Sequence, residues 1–177
     1  MAERADRELI REIDALWASQ LKAIPTGRIP HGVAPDVVEF LTSVGLPTVE
    51  AQGIAFVHDK RMSHLVERLD RRLLLIATDW EMPSFVADPE SGRVHTFAGG
   101  RIPGLVLVGS SLPLFLVALG VWRRDIWDPT VVGMTAEDGL AAYERFETVL
   151  ADLDPAAAEP DAYWPGLLDG LREGVEL

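Results

Sequence analysis

Between Ile102 and Trp122 the chain runs for 21 residues without a charge, IPGLVLVGSSLPLFLVALGVW, with Arg101 before it and Arg123-Arg124 after it. A run of that length either spans a bilayer or lies deep in a folded core. Its punctuation argues for the core. Pro103, Gly104, Gly109, Ser110, Ser111 and Pro113 divide it into a short apolar strand, a Gly-Ser-Ser turn and a helix. Ser111 is placed to cap that helix, with Leu112, Phe115, Leu116 and Leu119 on its core stripe.

Strand candidates precede this junction and helices flank the whole. Residues 4–23 repeat apolar groups at Leu9, Ile13, Leu16/Trp17 and Leu21, a helix ended by Pro25, Gly27 and Pro30. Pro35-Asp36 opens a second helix with Val37, Val38, Leu41 and Val44 on one face, closing at Gly45. Ile54–Val57, Leu73–Thr78, Ser84–Ala87, Arg93–Phe97 and Leu105–Val108 read as strands, and Asp88–Gly92 has hairpin-turn chemistry. Residues 59–72 read equally as a short helix or a polar loop. Beyond the apolar run, Thr135 and Asp138 resemble a capping box, followed by Leu140, Tyr143, Phe146 and Leu150 at helical spacing. A last amphipathic piece carries Trp164, Leu167, Leu168 and Leu171. Strands in succession with short turns imply an α+β fold, a mainly antiparallel sheet of about four to six strands between N- and C-terminal helices. At 177 residues, with no internal repeat or linker, residues 1–177 read as one domain.

The formal charge of −12 is unevenly placed. Residues 1–124 hold 15 acidic and 14 basic side chains, residues 125–177 hold 13 and 2. Such a field repels nucleic acid and anionic membrane and steers a basic partner toward the last third, whose bland alternative is a solvated face. No cysteine is present, so thiolate metal sites and disulfides are excluded. The charged N-terminus has no secretory h-region, which fits a cytoplasmic location. Gly99-Gly100 lacks the remaining residues of a phosphate loop, and His31, His58, His64 and His95 have no zinc-ligand spacing, so no cofactor or metal is expected. Nothing is built for a small-molecule ligand. Asp79 and Glu81 are conceivable as acid and base, but they follow an apolar strand, where solvent-facing carboxylates are ordinary.

Tryptophan is more informative. Trp17 and Trp164 lie on apolar helical stripes. Trp80 stands between Asp79 and Glu81 at a strand exit, and Trp127 is flanked by Asp125 and Asp128. An aromatic set among carboxylates has the composition of a contact residue with an acidic rim. Asp79, Trp80, Glu81, Asp125, Trp127 and Asp128 are therefore the candidate partner-binding residues.

The same segments resemble the SUKH superfamily, most closely its actinobacterial immunity proteins. Phe40–Pro47 (FLTSVGLP) is similar to that family's helix into a "GLP" turn, and Leu74–Asp79 (LLIATD) to its strand that ends in a Gly/Asp-rich turn. Ser84–His95 (SFVADPESGRVH) resembles its "D-x-x-x-G-x-V" hairpin, and Val108–Leu116 (VGSSLPLFL) its "N-S-S-L-x-x-F" junction. Phe146–Leu168 resembles its "D-P-x-A … W" ending, so the resemblance covers roughly residues 37–172. Ala77, Trp80-Glu81 and Gly109 depart from it, Gly109 standing where the pattern has Asn. The resemblance implies a sheet wrapped by helices, no enzymatic activity, and a cognate protein toxin as partner, often a nuclease or deaminase. An intracellular scaffold or adaptor of the same fold is the alternative it leaves open.

Overall fold

The structure is a computed structural model that describes residues 2–51, 53–79, 85–97, 104–127 and 135–175. Helix α1 (Ala2–Trp17) leads into β1 (Leu21–Lys22), α2 (Pro35–Ser43) and β2 (Leu46–Pro47). Strands β3 (Ile54–Phe56), β4 (Val66–Arg68), β5 (Arg71–Asp79), β6 (Phe85–Ala87), β7 (Val94–Phe97) and β8 (Leu105–Gly109) follow. Three helices close the chain: α3 (Leu112–Trp122), α4 (Ala136–Leu153) and α5 (Tyr163–Val175). The described strands β3 to β8 form one antiparallel sheet ordered β3-β5-β6-β7-β8, with β4 pairing the first half of β5. β1 and β2 make a separate two-stranded ladder. The α+β expectation holds.

The uncharged run resolves as its punctuation predicts, into β8, a Ser110-Ser111 turn and α3. Nine of the eleven α3 residues are buried, not only the four on the expected stripe. The helix has core on every side because α1, β8 and α4 all pack against it. Trp17 donates its indole N–H to the Leu116 carbonyl at 2.9 Å, drawing α1 onto α3. On the sheet side Phe85 stacks on Phe115 at 5.8 Å. Toward the C-terminus, Trp122, Phe146 and Trp164 meet pairwise with ring centroids 5.1–5.5 Å apart, joining α3, α4 and α5. Fully burying one such large side chain stabilises by about 1.5–3 kcal/mol, so this cluster dominates the energetics of the helical half.

Two polar contacts fix the sheet to the last two helices. Asp154, 3% exposed, accepts from the Ser110 backbone N–H and hydroxyl at 2.6 Å each, and from the Ala157 N–H at 3.4 Å. Trp164 donates to the Val108 carbonyl at 2.9 Å. The Ser-Ser junction and the Asp-Pro-x-Ala ending are thus two halves of one contact, 44 residues apart in sequence.

Local signals account for most element ends. Ser111 accepts from the Leu114 N–H, and Thr135 with Asp138 forms a reciprocal capping box. Asp88 accepts from the Glu90 and Ser91 N–H groups and the Ser91 hydroxyl, closing the β6–β7 turn. Gly45 has φ +87°, and a Cβ there would overlap the Lys22 carbonyl, so only glycine lets α2 turn this close to β1. At Gly109 a Cβ would lie 2.9 Å from that of Phe115. That contact explains why this chain carries glycine where the resembled pattern has Asn.

Three expectations need correction. α1 stops at Trp17, well before Pro25, because Ala18 takes φ +46° and the chain turns into β1. Residues 59–72 are neither one helix nor a polar loop. They form a 3-10 turn at Lys60–Ser63 and then the β4–β5 hairpin. Leu140 is 37% exposed, off the buried α4 stripe of Ala142, Tyr143, Phe146 and Leu150. Among the described residues, no helix is long and apolar enough to cross a membrane.

Candidate functional site

Of the six candidate contact residues, Asp125 and Trp127 are described together with their side chains. Asp79 ends β5, with its backbone opposite Ile54 of β3, and its side chain lies outside the described set. Trp80, Glu81 and Asp128 also lie outside the described residues.

Beyond Trp122 the helical winding widens into a π turn, Arg123–Trp127. Arg123 anchors its start, donating to the Gln20 amide oxygen at 2.7 Å and lying 5.4 Å from the Trp17 ring centroid. Arg124 grips Asp125 through two hydrogen bonds of 2.6 and 2.7 Å. That pairing, with Glu12 of α1 nearby, raises the Arg124 pKa above its usual value. The Asp125 charge is consequently answered within the chain. Trp127 comes last and is 53% exposed, the most exposed of the large apolar side chains among the described residues.

The π turn packs against α4, which also exposes large apolar side chains. Leu140 and Val149 project there at 37% and 39% exposure. Around them Glu137, Glu144 and Asp152 are exposed and take part in no ion pair among the described residues. Arg172 of α5 bridges Glu147 and Asp169 at 2.6 and 3.4 Å, which leaves Arg145 as the other basic group of the last third. Three of the five exposed large apolar side chains of the described residues thus fall between positions 127 and 149, within the acidic third. Apolar anchors among mainly acidic charges, with Arg145 as the basic exception on α4, have the anatomy of a protein contact surface with the carboxylates as its rim.

Sequence reasoning missed Leu140 and Val149. Leu140 shares apolar character with the buried stripe but sits one position out of phase with Gly139, Tyr143, Phe146 and Leu150. The signal was in the phase of the repeat and not in its composition.

Concave features elsewhere are shallow. A cleft of about 480 Å³ runs between α1, α2 and the start of α3, with Ile10, Asp36, Glu39, Phe40 and Pro113 in its walls. A groove of about 410 Å³ crosses the sheet face turned away from the helices. Among the described residues no three His, Asp or Glu side chains gather in a way that would hold a metal ion.

A family model described as SUKH-4 immunity protein matches residues 22–170. The matched span includes the β8–α3 junction, the Asp154 lock and the acidic face of α4. Neither a curated protein nor a solved structure matches the sequence.

Proposed function

This chain belongs to the SUKH-4 immunity protein family, and from that premise we propose that it is a non-enzymatic antitoxin, acting in the cytoplasm by binding and blocking a cognate toxin with a basic surface. A nuclease or deaminase domain has that chemistry, because an enzyme that grips a polyanion presents cationic side chains around its active cleft. An acidic binding protein competes for those side chains.

The observation that supports this reading most is the exposure of Trp127 on the π turn and of Leu140 and Val149 among the unpaired carboxylates Glu137, Glu144 and Asp152 of α4. Trp127 serves as the central anchor. Glu137, Glu144 and Asp152 steer the encounter and fix its polarity. Asp125, already gripped by Arg124, holds the tryptophan's supporting turn more than it offers charge to a partner. Asp128, Asp79, Trp80 and Glu81 complete the proposed contact set on sequence grounds.

The test is co-purification of the tagged chain with the product of the adjacent gene, followed by calorimetry at two salt concentrations. A one-to-one complex that associates more slowly at high salt and loses affinity on Trp127→Ala supports the reading. Recovery of a housekeeping protein in place of a toxin assigns the chain to the adaptor alternative. A toxin complex untouched by Trp127→Ala and by salt refutes this surface.

A further inference from the structure

The turn of the β4–β5 hairpin and the residue pair beside it both work against the hairpin. Its two-residue turn places Leu69 at φ +52° and Asp70 at φ +56°, the double left-handed geometry that favours Asn-Gly. A branched apolar residue is unfavourable in that region, and Leu69 recovers little by burial, since it is 39% exposed. The register then sets Arg68 directly opposite Arg71. Like charges facing each other across two strands destabilise the pair. One step further along, Glu67 faces Arg72, an arrangement of opposite sign. The adverse pair therefore sits at the tip. Neither Arg68 nor Arg71 forms an ion pair among the described residues.

The tip opens onto the sheet face turned away from the helices. Leu69, Arg71, His95 and Leu105 line the groove of about 410 Å³ there. The row Leu75, Val86, His95 and Leu107 runs across β5, β6, β7 and β8 beside it. The groove, walled by two leucines, a histidine and an arginine, thus ends at the hairpin tip where Arg68 stands opposite Arg71 in the register. Strain, unanswered charge and a concavity with leucines in its walls coincide at one place, and such coincidences mark binding sites.

We propose that the β4–β5 tip and this groove form a second docking surface, opposite in sign to the α4 face, that takes an extended acidic segment of a partner protein. Carboxylates of the segment pair with Arg68 and Arg71, which removes their mutual repulsion. Its apolar side chains lie against Leu69 and Leu105. A protein segment fits better than a nucleic acid. The chain's charge of −12 repels a long polyanion, whereas a short segment feels mainly the field within a Debye length of about 8 Å at physiological salt.

The probe is a capped, extended peptide of about ten residues with Glu and Val taking turns at every second position and Ser between them, so that both chemistries fall on the one face turned to the groove. It is titrated into the full chain and followed by amide NMR. Shifts confined to residues 67–72, 95 and 105–107 are expected, with affinity falling at least about tenfold in the Arg68→Glu/Arg71→Glu variant. The single Arg68→Glu change places opposite charges across the strands and is expected to raise Tm by a few degrees, separating lost binding from lost folding. Trp127→Ala leaves the peptide's affinity unchanged, so failure here is distinct from failure of the toxin reading. Peptide shifts elsewhere, undiminished binding in the double variant, or equal or tighter binding of an oligothymidylate of the same charge would each overturn the proposal.

Discussion

The outer face of α4 and the tip of the β4–β5 hairpin both expose large apolar side chains among charges, but they reach that state by different physics. On α4, Leu140 and Val149 simply fall off the buried stripe. The helix is capped by Thr135 and Asp138, anchored by Tyr143, Phe146 and Leu150, and gives up nothing to present them. On the hairpin, Leu69 is exposed because the chain holds it in a left-handed conformation, beside two facing arginines. One surface is a relaxed by-product of helix phase, and the other stores local strain. A relaxed surface diverges freely without harm to the fold, whereas a strained one persists only where the surrounding structure holds it.

The sharpest way to break this comparison is at Asp154, which belongs to neither surface but holds α4 and α5 to the sheet. Asp154→Ala leaves the part-buried Ser110 N–H unanswered and opens a gap at a buried position, and should destabilise the chain by about 2 kcal/mol in urea titration. Hydrogen exchange should quicken in α4 and α5 first and leave the β4–β5 hairpin protected. Equal loss in both regions would show that they are not energetically separate.

To a similar extent, Trp127→Ala should weaken binding of the cognate toxin by about 2 kcal/mol while changing stability by less than about 0.5 kcal/mol. Calorimetry and a urea midpoint on the same preparation check the two halves. On the hairpin the sign reverses: Leu69→Asn with Asp70→Gly should stabilise by about 1 kcal/mol, because the turn then carries residues suited to its backbone. A lower urea midpoint would mean that Leu69 contributes more by packing than it loses by conformation.

The smallest effect concerns pH. Burial holds the His95 pKa below its usual value of 6.5, with Arg71 and Arg93 acting in the same direction, against the Arg93 carbonyl and Asp88. Because the folded pKa is the lower one, the stability from neutral His95 is fully present above about 6.5 and falls as pH drops through that value. Asp88 also has a lowered pKa. Its burial opposes ionisation, but hydrogen bonds from Ser91 and Glu90 prevail, so its contribution is lost only in stronger acid, below the ordinary carboxylate value of 3.8. Urea midpoints at pH 7.5 and 5.5 should therefore differ in the parent and converge in His95→Gln. A gap that persists in that variant would place the titrating group elsewhere.

Several elements were legible because their signals are local. The Gly-Ser-Ser break in the uncharged run, the Thr135–Asp138 box and the Asp88 turn each involve residues within a few positions of one another. The β4–β5 hairpin was not legible. Leu-Asp is a poor turn dipeptide, and the strands on either side carry arginines where alternation was expected. Asp125 was read as an acidic rim residue, yet Arg124, its immediate neighbour, consumes that charge once the π turn brings the two groups together.

Composition and periodicity by themselves determined that this chain is α+β, that its centre is the strand and helix of the uncharged run, and that its last third is acidic. These follow from quantities summed along the chain or repeated at a fixed spacing. Only the tertiary structure decided that Ser110 meets Asp154, that Leu140 faces outward while Tyr143 faces in, and that Arg68 confronts Arg71. Each of those depends on register or helix phase, where a shift of one residue exchanges inside for outside, and packing against distant segments sets that phase.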